Sequence, residues 1–140
     1  NPIIGGEESG GLSIQGHIPE KDGLLANSLI LEAMAYEGKS LKELQKNLYD
    51  FVGCKFYNDR IDKKLENTDE IKPVLEKYKS MTALGSFKVK NIDTKDGVKL
   101  YFDDNNSWVL VRPSGTEPLL RIYFESDSVE NIELLKRLIA

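Results

Sequence analysis

Phe87-Lys88-Val89-Lys90-Asn91-Ile92, Asp96-Gly97, Val98-Lys99-Leu100-Tyr101-Phe102 and Trp108-Val109-Leu110-Val111 form the stretch that decides the fold. Each apolar run is short and rich in β-branched and aromatic residues, which fits a strand. Asp-Gly between two such runs is a hairpin turn signal, and residues 103–106 (Asp-Asp-Asn-Asn) make another turn. A further strand is expected at 120–124, separated from the one at 108–111 by the Pro- and Gly-containing residues 112–118. Strands joined by turns this short pair antiparallel. Outward from this meander, 56–61 reads as a strand and 69–84 as a helix with Ile71, Leu75, Tyr78 and Leu84 on one side. Pro73 is tolerated there only near the first turn. Asp127 or Ser128 caps a final helix. The order strand, helix, several strands, helix predicts an α+β domain, an antiparallel sheet with helices on one face.

Upstream the pattern differs. Residues 1–23 read as loop, holding 6 of the chain's 11 glycines, a concentration that implies unusual backbone angles or close backbone approach. Asp22 caps a helix from about Gly23 to 36–37, stopped by Gly38. Its few polar positions predict burial on several sides. Ser40-Leu41-Lys42-Glu43 is a capping box. Leu41, Leu44, Leu48 and Val52 follow at helical spacing, and Gly53 ends the run. The expected units are 1–53 and 54–140. The chain begins at Asn1 rather than Met and ends within an apolar helical run, so we expect a fragment of a longer protein.

Composition narrows the function. Forty per cent apolar and 30% charged residues suit a packed domain rather than a disordered chain. A net charge of −4 argues against nucleic acid as partner. One cysteine and one histidine exclude a disulfide framework and a Cys/His zinc finger. No apolar run approaches the ~20 residues of a membrane span, and no export signal opens the sequence, so no membrane partner and a cytoplasmic location are expected. Trp108 is expected in the core, as is Cys54 near the boundary.

Two motifs carry chemistry. Arg112-Pro113-Ser114-Gly115-Thr116-Glu117-Pro118, with Arg121 three residues on, joins two strands. The Arg fork fits phosphate oxygens, Ser and Thr offer hydroxyls, and Gly lets backbone N–H groups face an anion. The other reading is a polar turn whose hydroxyls satisfy their own backbone. Gly5-Gly6-Glu7-Glu8-Ser9-Gly10-Gly11 places carboxylates between glycines, which suits sugar hydroxyls or simply a solvated acidic loop. It lacks the G-K-[ST] of a Walker loop.

Gly6-Glu7-Glu8-Ser9-Gly10, His17-Ile18-Pro19-Glu20-Lys21-Asp22-Gly23 and Arg112-Pro113-Ser114-Gly115-Thr116-Glu117-Pro118, in that order, resemble the C-terminal part of an α-D-phosphohexomutase. Within that superfamily the chain is most similar to phosphoglucomutases and the phosphoglucomutase/phosphomannomutase group. The resemblance covers essentially the whole chain. It implies that residues 1–53 end the third of four domains and that 54–140 form the fourth, a TATA-box-binding-protein-like fold. It implies interconversion of hexose 1-phosphate and 6-phosphate through a bisphosphate, with glucose favoured. A phosphoserine in the first domain and Mg²⁺ held by the second would supply the transfer. No Thr-Ala-Ser-His-Asn-Pro run and no Asp-rich metal loop occur here. Mg²⁺ is thus expected only in the full-length enzyme, with no metal site in this chain and no turnover by it alone. The expected partners are a hexose phosphate and the remaining domains of the same chain.

Carried onto this sequence, the resemblance implies that Glu7 and Ser9 contact ring hydroxyls, with Glu8 at a variable position. Arg112, Ser114, Gly115 and Thr116, assisted by Arg121, would hold the phosphate not being transferred. Lys21 matches a lysine near the reacting hydroxyl, a role that burial or neighbouring cations would favour; an exposed lysine paired with Glu20 or Asp22 is the other reading. In the mannomutase-like branch a His follows the Gly-Glu-x-Ser-Gly run where Gly11 stands here, so His17 is assigned a loop-shaping role behind the contact residues. The segment near Gly53 would be a hinge. The competing function is a non-catalytic interaction module docking through its sheet, which requires an exposed apolar patch there.

Overall fold

In β6 (Val98–Phe102) the residues Val98, Leu100 and Phe102 are buried to 1% exposure or less, while Lys99 and Tyr101 between them are only half-buried. The same alternation runs through β7 (Trp108–Pro113) and β8 (Leu119–Ser126), where Val109, Val111, Leu120, Ile122 and Phe124 face the core. A period of two sends one set of side chains to each face of the sheet. These strands join β3 (Tyr57–Lys64), β4 (Ala83–Leu84) and β5 (Phe87–Asp93) in a six-stranded antiparallel sheet of order β3-β8-β7-β6-β5-β4. Two helices, α3 (Ile71–Lys79) and α4 (Val129–Ile139), cover the apolar face through Tyr78, Ile132, Leu135 and Ile139, which join the strand residues in one cluster. Asp59 on β3 takes the Lys136 ammonium of α4 at 2.7 Å. The helix-free face carries Arg112, Arg121, Tyr123 and Glu125.

This computed structural model describes all residues except Asn1, Glu8, Asn105, Thr116 and Ala140. It divides into two units, residues 1–54 and 55–140. The second is the α+β arrangement expected, with four differences. The helix expected over 69–84 is a 3₁₀ turn (Thr68–Glu70) followed by α3, which Ser80 ends. Leu84 belongs to β4, because apolar spacing alone does not separate a helix from the strand that follows it. The first strand runs over Tyr57–Lys64 rather than 56–61. Arg112 and Pro113 extend β7, so the loop shrinks to residues 114–118. Trp108 is not core. It lies half-buried on the helix-free face, donating Nε1–H to Glu125 Oε1 at 2.8 Å with Lys99 Nζ 3.6 Å from its ring centroid.

The first unit holds a hairpin within the segment read as loop: β1 (Ile4–Gly6) pairs antiparallel with β2 (Leu12–Ile14). Its strands are three residues each, and the glycines hide the alternation. Helix α1 (Gly23–Glu37) is capped by Asp22, whose Oδ1 accepts from the Leu24 and Leu25 N–H groups at 3.0 Å. Helix α2 (Leu41–Val52) carries the complete Ser40/Glu43 capping box. Burial of α1 on several sides is not observed. None of its residues is buried, and Leu24 and Tyr36 are more than four-fifths exposed. A helix apolar all round needs cover on every side, and a two-stranded hairpin with one other helix does not supply it.

Candidate functional site

The phosphate-type loop, residues 114–118, closes the β7–β8 hairpin. Its base is tied by Ser114 N–H to Leu119 O at 2.9 Å and by Leu65 N–H, just past β3, to Pro118 O at 2.8 Å. A Cβ built on Gly115 would meet nothing within 4 Å, so the backbone there fronts open space. Ser114 is half-buried and engaged in its own interactions. Thr116 lies outside the described residues, as does Glu8.

The register places Arg112 of β7 directly opposite Arg121 of β8, and Asp62 of β3 opposite Arg121 on its other side. Directly opposed residues share a face with Cβ atoms about 5 Å apart, where like charges destabilise the sheet. Asp62 is engaged by Arg60, Nε to Oδ1 at 3.2 Å. Arg112 reaches Asp96 in the β5–β6 turn, Nη1 to Oδ2 at 3.3 Å. Arg121 Nε is buried and has no hydrogen-bond partner among the described residues. Two arginines opposed across the β7–β8 ladder beside an open Gly-containing loop concentrate positive charge there, an arrangement suited to a dianion.

Gly97 brings Asp96 to this site. Its φ is +84°, and a Cβ there would stand 2.3 Å from Val111 O and 3.0 Å from Arg112 Cα. Only glycine lets this turn press against β7 beside Arg112. Asp96, which the sequence presents only as a turn signal, is thereby the partner of Arg112. The pairing of Pro113 with Leu120 next to the loop carries Arg112 opposite Arg121. A cavity elsewhere on the helix-free face, about 450 Å³ and lined by Phe56, Asn91, Tyr101, Trp108 and Glu125 among others, includes none of these residues.

In the first unit, Glu7 and Ser9 sit on the tip of the β1–β2 hairpin. The tip is held by Glu7 N–H to Gly11 O at 2.9 Å and Gly10 N–H to Glu7 O at 3.0 Å. Ser9 Oγ donates to Glu7 Oε2 at 2.9 Å, and Lys21 Nζ lies 2.5 Å from Glu7 Oε1. The structure thus gathers Glu7, Ser9 and Lys21. Lys21 pairs with Glu7 rather than with Glu20 or Asp22, and it is 55% exposed, so its surroundings are a carboxylate and solvent rather than an apolar pocket. His17 stands in a second cluster, Nε2 at 3.2 Å from Asp22 Oδ2. Asp22 therefore links the His17 loop to the start of α1. Its carboxyl is held below the usual aspartate value, chiefly by the Leu25 N–H and further by the His17 ring.

No three acidic, His or Cys side chains gather as metal ligands would among the described residues. No helix among them is long and apolar enough to cross a membrane.

Residues 59–140 match the family "Phosphoglucomutase/phosphomannomutase, C-terminal domain", and residues 1–51 match "Phosphoglucomutase/phosphomannomutase, alpha/beta/alpha domain III". A phosphoglucomutase/phosphomannomutase of Thermococcus kodakarensis is 37% identical over 93% of this chain and 26% of its own length. A phosphoglucosamine mutase of Methanococcus vannielii is 34% identical over 89% of this chain and 26% of its own length. A solved structure from Thermus thermophilus, described as a candidate phosphomannomutase, superposes with a TM-score of 0.70 at 34% identity, covering 98% of this chain and 25% of that one. The chain spans about a quarter of the length of the curated relatives it matches. With both of its units matched in the family's own order, the chain belongs to the phosphoglucomutase/phosphomannomutase family, as a C-terminal portion of it.

Proposed function

We propose that this chain supplies the substrate-holding loops of a phosphohexomutase that interconverts hexose 1-phosphate and hexose 6-phosphate, with glucose favoured. The observation that carries the reading is the side-by-side placement of Arg112 and Arg121, with an unpaired buried Nε, at the base of an open loop. Arg112, Arg121, Ser114, Gly115 and Thr116 hold the phosphate that stays in place. Anchoring that end fixes the rest of the sugar, turning an encounter between loose reactants into an oriented one. Glu7 accepts hydrogen bonds from ring hydroxyls, Ser9 completes them, and the Lys21 ammonium beside Glu7 donates to the oxygen of the reacting hydroxyl. His17 shapes the loop through Asp22. The phosphoryl donor and its Mg²⁺ belong to other parts of the enzyme, so this chain binds sugar phosphate without turning it over, and it works in the cytoplasm.

The competing docking-module reading needs an exposed apolar patch on the sheet. Tyr101, Trp108, Leu110 and Tyr123 on the helix-free face are all only half-exposed or less, with charged side chains between them. That favours the sugar-phosphate reading. Titration with glucose 1-phosphate, followed by amide chemical shifts, tests it. Shifts are expected at Ser114, Gly115 and Arg121 and at Glu7 and Ser9. Resonances of residues 112–121 that stay fixed at millimolar ligand would overturn it.

A further inference from the structure

Gly11 follows the acidic tip of the β1–β2 hairpin, and its φ lies outside the left-handed region that demands glycine. What it lacks is room. A Cβ at this position would lie 2.9 Å from Lys21 Cδ and 3.1 Å from Glu7 Oε2. The Lys21 stem therefore crosses the backbone of Gly11 to bring its ammonium onto Glu7 Oε1, while Glu7 Oε2 takes the Ser9 hydroxyl. Lys21 lies ten residues further along the chain, at the entry to α1, and the other glycines of the hairpin strands have open Cβ positions. A Cβ on Gly5 would meet nothing within 4 Å, and one on Gly6 only ordinary contacts at 3.7 Å and beyond.

We infer that Gly11 is a positioning residue for Lys21: the absent side chain is the channel through which the lysine reaches the Glu7–Ser9 tip. Any side chain at position 11 and the Lys21 stem compete for one volume. The tip can then hold either, and a chain with a side chain there loses Lys21 from the site. Both atoms in the way belong to flexible side chains, so Gly11→Ala displaces Lys21 rather than breaking the hairpin ladder. The consequence for sugar binding rests on the reading of Lys21 given above; the displacement itself does not.

The test uses the isotope-labelled 140-residue chain. In the wild type, nuclear Overhauser contacts are expected between the Gly11 α-protons and the Lys21 side-chain methylenes. The Lys21 Cε resonance should respond to Glu7→Gln. In Gly11→Ala, Lys21 Cε is expected at its position in Glu7→Gln, and combining the two changes should move it no further, since both break one contact. Gly5→Ala, the same substitution in open space, should leave it in place. An unmoved Lys21 in Gly11→Ala overturns the inference. If Gly11→Ala instead unfolds the hairpin, adding Lys21→Ala decides. Recovered hairpin amide shifts support competition for the same space, and no recovery overturns it. Glucose 1-phosphate is then added. Affinity is expected to fall about threefold in Gly11→Ala, the size of one exposed charged contact. A wild type that ignores the ligand defeats the sugar reading of Lys21 and leaves the contact between residues 11 and 21 standing. A variant that binds as well as the wild type while Lys21 is displaced defeats the positioning role.

Discussion

Replacing Arg121 by methionine should stabilise the second unit while weakening its hold on phosphate. Two stabilising contributions follow from the geometry. Removing one of two directly opposed cations relieves about 0.2–1 kcal/mol. Removing a buried donor without a partner relieves about 1–3 kcal/mol. Against these stands the lost attraction to Asp62 on β3, worth at most about 1 kcal/mol for an accessible pair already shared with Arg60. The net expectation is a gain of about 1 kcal/mol, or roughly 4–8 °C in melting temperature for a domain of this size. Phosphate reverses the comparison. At a concentration about 100-fold above its dissociation constant, ligand adds about 2.7 kcal/mol to the wild type. Loss of a charge-assisted contact of about 1.5–3 kcal/mol weakens the variant's affinity roughly 10- to 100-fold, leaving it about 0.4–1.4 kcal/mol. Urea or thermal unfolding followed by Trp108, the only tryptophan and a residue of β7, reads this unit directly. The variant should unfold later than the wild type in phosphate-free buffer, and its lead should vanish in phosphate. A variant less stable than the wild type without ligand would show that Arg121 is a structural residue, and the anion-site argument would fail.

Gly97→Ala should cost more than the ~1 kcal/mol usual for a left-handed glycine, because the added carbon meets Val111 O; the same melts check it, and phosphate affinity should fall as Arg112 shifts. Leu100→Ala, at a site with no exposure, should cost about 2–5 kcal/mol in urea unfolding. Ser40→Ala removes the side-chain half of the α2 capping box and should cost about 1 kcal/mol of helix stability, read as lost helical circular dichroism. The Lys136 ammonium hydrogen-bonds the Asp59 carboxyl and holds it below its ordinary value, and Lys136 is held above its own by the same bond. The Asp59 contribution is therefore present above the unfolded aspartate value of about 3.9 and lost as pH falls through the lower folded one. The Lys136 contribution is complete below the unfolded lysine value of about 10.4 and lost as pH rises through the higher folded one. Asp59→Asn should flatten the stability profile at both ends, as urea melts across the pH range would show.

Much of this fold is written in the sequence. The Asp22 and Ser40 caps, the Gly38 and Gly53 stops, and the Asp96-Gly97 turn are local chemistry, decided within four residues, and each stands where the pattern places it. Spacing misplaces the end of α3 because Leu84 continues the apolar pattern while the chain has already turned into β4. It misplaces Trp108 because size and hydrophobicity predict burial but not which face of a strand a residue occupies. That depends on register, and register puts Trp108 opposite Glu125 on the helix-free side. Each unit's candidate residues are legible as residue types and hidden as pairs. The three pairings Arg112 with Asp96, Lys21 with Glu7, and Lys21 with Gly11 each join separate stretches of chain, and no periodicity reports them.

The two loops solve one physical problem in the same way. Each is a five-residue tip on an antiparallel hairpin, 7–11 on β1–β2 and 114–118 on β7–β8. Each is closed at its base by backbone hydrogen bonds, so little entropy remains to be lost on binding. In each, the cations come from outside the tip: Lys21 from the entry to α1, Arg112 and Arg121 from the strands beneath. Beside each, a glycine without a side chain admits a neighbour that a Cβ would exclude: Gly11 admits Lys21, and Gly97 of the β5–β6 turn lets that turn approach β7. Away from these loops, β6 follows the rules of its pattern with buried Val98, Leu100 and Phe102. Where the fold opposes like charges and leaves a guanidinium nitrogen unsatisfied, it breaks them. Local rules broken together at one hairpin base are how a functional site shows itself in an otherwise consistent domain.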